Sequence, residues 1–407
     1  MRKPSAKRRL YNLHAWLGFH LALLMSLVLL TGTIAVFSDE IDWLIQEDMR
    51  VTPGETMAGW GELDRSVREA IPEGHDIVMM QSSGGDRTAW RFLVSRTDAT
   101  PYFVNVDQWT GKITGTSSTL TVQRFLRDLH RYLFMPGVIG LPIVGSLGFV
   151  LLLSTYTGLK TAGRLRTTAM RLRTDRGSRI LVGDAHKAVG IWASWFVLLI
   201  AITGVWYLAE LISSAADAPF EPGRPELSES RLAEIGENPQ VVSADRIIRA
   251  ASAQYDSWVP DVIIYPQSET GVVMVTGRST DPLVRTRANS VFIDPYDGSV
   301  IETRRSEELG AIAYLNELAD PLHFGDVGGL TTQIIWFGFG VGLTGLSITG
   351  VWLTYRRLKG VLVSKTQIVT MPVLLATVIA GYFYIDGHGP AEPIANLAVA
   401  APTPFPL

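Results

Sequence analysis

An apolar stretch that begins with a histidine occurs twice in this chain. The first copy, His14 to Gly32, reads HAWLGFHLALLMSLVLLTG, and the second, His186 to Gly204, reads HKAVGIWASWFVLLIAITG. In each copy a glycine, Gly18 or Gly190, follows the histidine one helical turn later, and a Thr-Gly pair ends the stretch. A histidine at the edge of a membrane span is costly to keep there, so we treat both histidines as candidate functional residues.

The hydropathy of the chain indicates a membrane protein. Charged residues make up 18% of its 407 residues, and the mean hydropathy is +0.20. Several apolar runs reach the roughly 20 residues that are needed to cross a bilayer. We expect five spans, at residues 13–37, 132–158, 185–211, 331–355 and 367–385.

The basic N-terminus before the first apolar run has two interpretations. It is compatible with a signal peptide that is cleaved near Thr33-Ile34-Ala35. The run is long for that purpose, carries two histidines and has a downstream copy, which favours a retained span.

The distribution of lysine and arginine predicts the orientation in the membrane. These residues lie before the first span, after the second and after the fourth, and such loops face the cytoplasm. The long segments 38–125 and 212–320 are then outside. The net charge of −3 gives no argument for nucleic-acid binding.

Both outer segments read as small α/β modules. Each ends as a strand, an Asp-x-x-x-Gly turn (Asp107–Gly111 and Asp294–Gly298) and a second strand, which is typical of a hairpin. The pattern of span, outer module and span therefore occurs twice. We expect two halves related by an axis along the membrane normal.

The predicted fold is an α-helical membrane protein with five transmembrane helices in a duplicated arrangement, plus two small periplasmic α/β modules. The expected units are the N-terminal basic segment with the first span, the first module, the second span, a basic cytoplasmic loop, the third span, the second module, the fourth span, and the fifth span with a periplasmic tail. Their boundaries are 1–37, 38–125, 126–160, 161–184, 185–211, 212–320, 321–357 and 358–407.

Any redox cofactor of this chain must be held by histidine or be bound non-covalently. The chain has no cysteine, which excludes disulfides, thiolate metal sites and iron–sulfur clusters. Four of its seven histidines occupy repeat-related positions: His14 with His186, and His130 with His323. The two histidines of one half are separated by about 25 Å at 1.5 Å per helical residue, so we expect each histidine to pair with its counterpart in the other half.

This geometry predicts two bis-histidine sites, and b-type haem is the cofactor that fits them best. Gly18 and Gly190 would leave room for a porphyrin face, although small residues also serve close helix packing. Zinc is less suitable, because a tetrahedral site needs more ligands than a pair provides. The alternative for each histidine is an ordinary interfacial polar residue. His20 has no counterpart in the repeat, where Trp192 takes its place, so it is the weaker ligand candidate.

Four pieces of the sequence resemble the PepSY-associated transmembrane family: LHAWLGFHLALLMSLVLLTG, LHRYLFMPGVIGLPIVGSLG, DAHKAVGIWASWFVLLIAITGVW and DPLHFGDVGG with TGLSITGVWLTYRR. The module ends NVDQWTGKITG and FIDPYDGSVIE resemble PepSY domains. The family includes iron-regulated inner-membrane proteins and di-haem siderophore reductases. The resemblance implies an electron path from the cytoplasm, through two haems held by the four paired histidines, to a ferric siderophore outside. The fifth span, the tail and His20 depart from the family pattern.

The expected function is thus that of a haem-dependent ferric-siderophore reductase in the bacterial inner membrane, with its N-terminus in the cytoplasm. No flavin or nicotinamide motif is visible in the sequence, so we expect a separate electron donor. The alternative is a non-redox membrane protein whose PepSY modules bind or regulate periplasmic peptides or proteases. A transporter is less favoured, because the spans lack buried carboxylates.

Overall fold

The computed structural model describes residues 5–357, apart from residues 84, 97–98 and 237–238, together with isolated positions beyond residue 374. The expected fifth span at 367–385 and the tail after it fall outside the described residues, those isolated positions apart. The helices in the described part are α1 (Ala6–His20), α2 (Ala22–Ala35), α3 (Ser38–Ile45), α4 (Trp60–Ala70), α5 (Val122–Tyr132), α6 (Gly137–Ala162), α7 (Leu165–Ala169), α8 (Ser178–Trp192), α9 (Ser194–Ala215), α10 (Glu229–Glu234), α11 (Ala244–Ser252), α12 (Ala311–Phe324) and α13 (Gly329–Arg357).

Three of these helices, α6, α9 and α13, are long and apolar enough to cross a membrane. The pair α1 and α2 makes a fourth candidate span, bent by 68°. The chain is therefore a multi-pass helical membrane protein. The first and third expected spans are each divided, at Leu21 and at Ala193, and both breaks lie seven residues after the histidine that opens the repeat.

Small residues allow the spans to pack closely. A Cβ built on Gly148 of α6 would lie 2.8 Å from the carbonyl oxygen of Ala201 on α9, so only glycine permits this approach. In the other contacts α1 packs on α6, while α2 and α8 both pack on α13. The short helices α1 and α8 thus place their histidines against the far ends of the two longest spans.

The strands form one antiparallel sheet rather than two separate modules. Its order is β4-β3-β2-β1-β5-β6-β7-β8, and Met80 of β1 pairs with Ile263 of β5 where the two outer segments meet. Both predicted hairpins are confirmed, since β3 pairs with β4 and β7 with β8 across the Asp-x-x-x-Gly turns. The strands are β1 (His75–Gln81), β2 (Trp90–Arg96), β3 (Ala99–Val106), β4 (Ile113–Ser118), β5 (Val259–Ile264), β6 (Val273–Arg278), β7 (Ser290–Ile293) and β8 (Val300–Arg304).

The sheet has a buried core on each face. On one face it packs against α4 and α11, where Leu63 and Ile247 are fully buried. On the other face Met79 and Phe292 belong to a second apolar cluster. Burial on both faces fixes the register of the strands, because a slip of one residue would exchange the two sets of side chains.

Candidate functional site

The structure brings the four repeat-related histidines together in two pairs. His130 on α5 and His323 on α12 have ring centres 6.1 Å apart, and we call them the sheet-proximal pair. His14 on α1 and His186 on α8 have ring centres 6.2 Å apart, and we call them the sheet-distal pair. Each pair takes one histidine from each half of the chain.

Helix α13 gives the distance between the two pairs. Near its start the Trp336 indole donates a hydrogen bond of 2.9 Å to the carbonyl of Leu322, the neighbour of His323. Near its end Thr349 lies 2.9 Å from the ring of His186. At 1.5 Å per residue, these two points are about 20 Å apart along the helix. One metal ion cannot serve both pairs.

In the sheet-distal pair, the Nδ1 atom of each ring is bonded to a neighbouring span. Nδ1 of His14 lies 3.0 Å from the carbonyl oxygen of Ser154 and 3.2 Å from the hydroxyl of Thr157, both on α6. Nδ1 of His186 lies 2.9 Å from the hydroxyl of Thr349 on α13. Both threonines belong to Thr-Gly pairs.

The sheet-proximal pair is held in a related way. Nδ1 of His323 lies 2.7 Å from the hydroxyl of Thr203 on α9, again in a Thr-Gly pair. Nδ1 of His130 lies 2.8 Å from the carbonyl oxygen of Val28 on α2. The hydroxyl of Thr31, which belongs to the remaining Thr-Gly pair, donates to the carbonyls of Leu27 and Val28 on its own helix.

These bonds determine which ring nitrogen carries the proton. A carbonyl oxygen only accepts, so Nδ1 of His130 and of His14 must donate. The hydroxyls of Thr157, Thr203 and Thr349 already donate their single hydrogen to a carbonyl of their own helix, at 2.8, 2.8 and 2.6 Å. Towards the imidazoles they therefore accept. All four rings have Nδ1–H, and Nε2 keeps the lone pair that binds a metal.

A cavity with a volume of about 220 Å³ lies beside the sheet-proximal pair. Its apolar walls come from the spans α2, α6, α9 and α13, and its polar residues come from the sheet side. The apolar residues include Met25, Val28, Leu141, Val144, Leu147, Phe196 and Leu343, and the polar ones include Asp39, Gln123, Arg127, Arg131, Arg285 and Asp326.

The position of His130 depends on how α5 begins and ends. The carboxylate of the buried Asp42 on α3 accepts hydrogen bonds of 2.8 and 2.9 Å from the amides of Val122 and Gln123. A carboxylate at a helix N-terminus satisfies free amides and interacts well with the helix dipole. Leu133 and Phe134, which follow α5, have left-handed backbone angles that turn the chain into α6.

The position of His323 is linked to the sheet by Arg285, which lies in the connection between β6 and β7. Its guanidinium donates to Glu317 at 2.9 Å and to Asp320 at 2.6 Å, both on α12. Asp320 also accepts a hydrogen bond of 2.5 Å from the hydroxyl of Tyr207. The Tyr207 ring lies edge-on to His323, with centres 5.4 Å apart. A residue between two strands of the sheet is thus connected to the candidate ligand through the Asp320 carboxylate and Tyr207.

Two carboxyl groups at the polar end of the cavity have raised pKa values. Burial raises the pKa of Asp39 to about 7, although Arg91 and Arg127 oppose the shift. Burial raises the pKa of Asp326 to about 6, and its Oδ1 atom is buried with no hydrogen-bond partner among the described residues. These groups change protonation near neutral pH.

Other residues singled out in the sequence lie elsewhere. A Cβ on Gly18 would meet nothing within 4 Å, and one on Gly190 would only touch Leu346 at 3.8 Å. The glycines against the imidazoles are those of the Thr-Gly pairs, with Cβ distances of 2.5 Å for Gly32 to His130 and 3.2 Å for Gly158 to His14. A cofactor-contacting role for Gly18 and Gly190 stays a prediction.

His20 is engaged with its own helix. Its Nδ1 atom lies 2.9 Å from the carbonyl oxygen of Trp16, and its ring packs on the Trp16 indole with centres 4.8 Å apart. It belongs to neither pair.

The residues that bond to the imidazoles are the ones that sequence reasoning missed. The Thr-Gly pairs at 31–32, 157–158, 203–204 and 349–350 were visible as a mark of the repeat, and that recurrence was the available signal. Arg285 and Tyr207 carried no such signal, because their contacts depend on the fold.

Within the described residues no group of three or more histidine, aspartate or glutamate side chains is placed to hold a metal ion. Among these residues, each histidine pair brings together two imidazoles without a carboxylate placed to complete a metal site.

Comparison with known proteins agrees with the membrane architecture. The sequence profile of the family described as PepSY-associated TM region matches residues 11–357, and the chain belongs to this family. An uncharacterised protein of Pseudomonas aeruginosa, PA4219, is 34% identical over 103 residues, which are 24% of this chain and 26% of that protein. The chain thus matches about a quarter of the length of this curated relative.

Proposed function

We propose that this protein carries electrons across a bacterial inner membrane through two b-type haems and reduces a ferric siderophore on the periplasmic side. The observation that carries this proposal is that the four histidines lie in two pairs. The ring centres are 6.2 Å apart in the sheet-distal pair and 6.1 Å apart in the sheet-proximal pair. Two imidazoles on opposite sides of one metal ion, bound through bonds of about 2.0 Å, have ring centres about 6 Å apart. With these separations and Nδ1–H tautomers, the Nε2 atoms of each pair would be free to hold one iron between them.

The chemical character of the residues that line the cavity beside the sheet-proximal pair suits a haem. Apolar side chains of four spans would face the flat ring, and Arg127, Arg131 and Arg285 at the sheet side would meet its two carboxylates. Arg124 on α5 is instead turned towards its own surroundings, where it lies 3.4 Å from Asp128 and donates to Thr119.

When bound, haem supplies one-electron chemistry, and the protein supplies position and electrostatics. His14 and His186 would hold one iron, and His130 and His323 the other. The threonine and carbonyl partners fix the ring orientation, and the apolar spans exclude water. If α13 spans the bilayer, the separation of about 20 Å along it would put the two sites at different depths.

The proposed orientation rests on charge. Lysine and arginine residues before the first span, after the second and after the fourth favour a cytoplasmic N-terminus. The sheet-distal pair would then receive electrons from a separate donor inside, and the sheet-proximal pair would deliver them outside. We propose five spans in two repeats, with the sheet built from two periplasmic PepSY modules.

The substrate class comes from the resemblance to di-haem siderophore reductases. A reconstitution experiment tests it. Vesicles containing the protein enclose ferric siderophore and an Fe(II) indicator, and dithionite is added outside. We expect Fe(II) to form inside, with the rate lost in His14→Ala and in His130→Ala. The matched control is His20→Ala, which should keep the rate. Equal rates in all variants and in protein-free vesicles would refute the proposal.

A further inference from the structure

The Thr-Gly pairs recur at the ends of four apolar stretches, and the repeat alone does not explain why a threonine is needed there. Three of the four threonines contact a histidine of another helix. Thr157 contacts His14, Thr349 contacts His186 and Thr203 contacts His323. These partners are 143, 163 and 120 residues apart in the chain, so the contacts are not a local consequence of helix geometry.

We propose that Thr203 and Thr349 are positioning residues that select the metal-binding tautomer of His323 and His186. The proposal deepens the proposed function and rests on it for the role of the cofactor. Each hydroxyl donates to its own helix and accepts from Nδ1–H of the imidazole. Without the hydroxyl, neither Nδ1–H would have an acceptor among the described residues, and the ring could carry its proton on Nε2, where it blocks ligation.

The adjoining glycine completes the motif by making space. A Cβ on Gly350 would lie 3.6 Å from Cε1 of His186, and one on Gly158 would lie 3.2 Å from Cε1 of His14. At these two pairs the threonine therefore holds one edge of the ring while the glycine lets the ring approach the span, whereas Gly204 has no such contact. Each Thr-Gly pair serves a histidine on another helix rather than the histidine that begins its own stretch.

The four threonines make different contacts with the histidines, so we expect their substitutions to differ in strength. Thr203 accepts the Nδ1–H hydrogen bond of His323 at 2.7 Å, and Thr349 accepts that of His186 at 2.9 Å. Thr157 shares His14 with the Ser154 carbonyl, which is closer at 3.0 Å than the hydroxyl at 3.2 Å. Thr31 bonds to carbonyls of its own helix, while His130 bonds to Val28. Replacement by valine should therefore change the tautomer of the partner histidine and cofactor retention strongly at Thr203 and Thr349, weakly at Thr157 and not at all at Thr31.

The first test uses the protein without cofactor, so that it does not depend on haem binding. Nitrogen-15 NMR of histidine-labelled protein, with signals assigned by single His→Gln changes, reports the tautomer of each ring. We expect Nδ1–H for His14, His130, His186 and His323 in the wild type. Thr203→Val should shift His323 alone, and Thr349→Val should shift His186 alone. An Nε2–H tautomer of His323 or His186 in the wild type overturns the proposal without any variant.

The second test measures cofactor retention. Loss of a residue that orients a metal ligand typically weakens binding by about 10–100-fold. We expect that loss at one of the two sites in Thr203→Val and Thr349→Val, and recovery in Thr203→Ser and Thr349→Ser, which keep the hydroxyl. The controls are Thr31→Val and Thr155→Val. Thr155 is on α6 and donates 2.8 Å to the carbonyl of Leu151.

Two results would overturn the proposal at this stage. One is unchanged retention in both valine variants. The other is an equal loss in the serine variants, because serine preserves the bond that the proposal requires. If no protein variant binds haem at all, the proposed function fails, while the tautomer measurement still decides the role of the threonines.

Discussion

Replacing Gly32 by alanine should eliminate the sheet-proximal site while leaving the helix intact. The added Cβ would lie 2.5 Å from Cε1 and 2.7 Å from Nδ1 of His130. Carbon atoms normally approach to about 3.5–4.0 Å, so the ring must withdraw by about 1 Å. That movement would lengthen the 2.8 Å bond from Nδ1 to the Val28 carbonyl beyond hydrogen-bonding distance.

The energetic balance of Gly32→Ala has two opposing parts. Alanine improves the intrinsic stability of a helix by about 0.8–1 kcal/mol relative to glycine. Overpacking costs about 1–3 kcal/mol, and the lost hydrogen bond costs about 1 kcal/mol. We expect a net loss of about 1–3 kcal/mol, together with loss of one bound haem.

Gly204 provides a matched control for this prediction. It is the repeat counterpart of Gly32, yet a Cβ on it would meet nothing within 4 Å. Gly204→Ala should keep the melting temperature and both haems. The assay is haem per chain by pyridine haemochrome, with thermal unfolding in detergent. Two haems and an unchanged melting temperature in Gly32→Ala would refute the reasoning, and so would equal loss in both variants.

Three further predictions concern the remaining contacts. His14→Ala should remove the sheet-distal haem alone, whereas His20→Ala should remove none, because the His20 ring is bonded to Trp16; haem content of the purified variants checks this. Arg285→Met should destabilise the protein by about 3–5 kcal/mol in thermal unfolding, because it leaves Glu317 and Asp320 buried with fewer partners; Arg176→Gln, at an exposed pair 4.0 Å long, should have little effect. The melting temperature should fall as pH rises from about 4 to about 7, because the pKa of Asp39 is about 7 in the folded protein and about 3.9 in the unfolded chain. Asp39→Asn should flatten this part of the pH profile of the melting temperature. An unchanged slope in that variant would contradict the prediction.

The sequence predicted the spans best where the apolar run was uninterrupted. The expected 331–355 corresponds to α13 (Gly329–Arg357), and the expected 132–158 to α6 (Gly137–Ala162). The breaks at Leu21 and Ala193 had no sequence signal, because neither position carries proline or glycine. Across these breaks the main packing partner changes: α1 packs mainly on α6 and α2 on α13, whereas α8 packs mainly on α13 and α9 on α6.

The outer region shows a similar division between local and non-local structure. The two hairpins were predictable, because the turn residues lie between the strands that they connect. The joining of both segments into one sheet was not, since Met80 and Ile263 pair across almost half of the chain. Pairing of edge strands from distant segments leaves no local pattern.

For the candidate site, the sequence repeat predicted the four histidines and which two of them lie close together in each pair. It did not give the groups that bond to the rings. Thr157 and His14 are 143 residues apart, and His130 uses a backbone carbonyl, for which any residue type would serve. The sequence likewise favoured Gly18 and Gly190, while the glycines beside the rings are in the Thr-Gly pairs.

The central claim is that each histidine pair holds one haem iron. It is tested most directly by the dithionite-reduced spectrum and haem content of protein purified from cells supplied with haem. We expect b-type absorption bands with two haems per chain, and one haem per chain in His323→Ala and in His186→Ala. No bands in the wild type, or two haems in both variants, would contradict it.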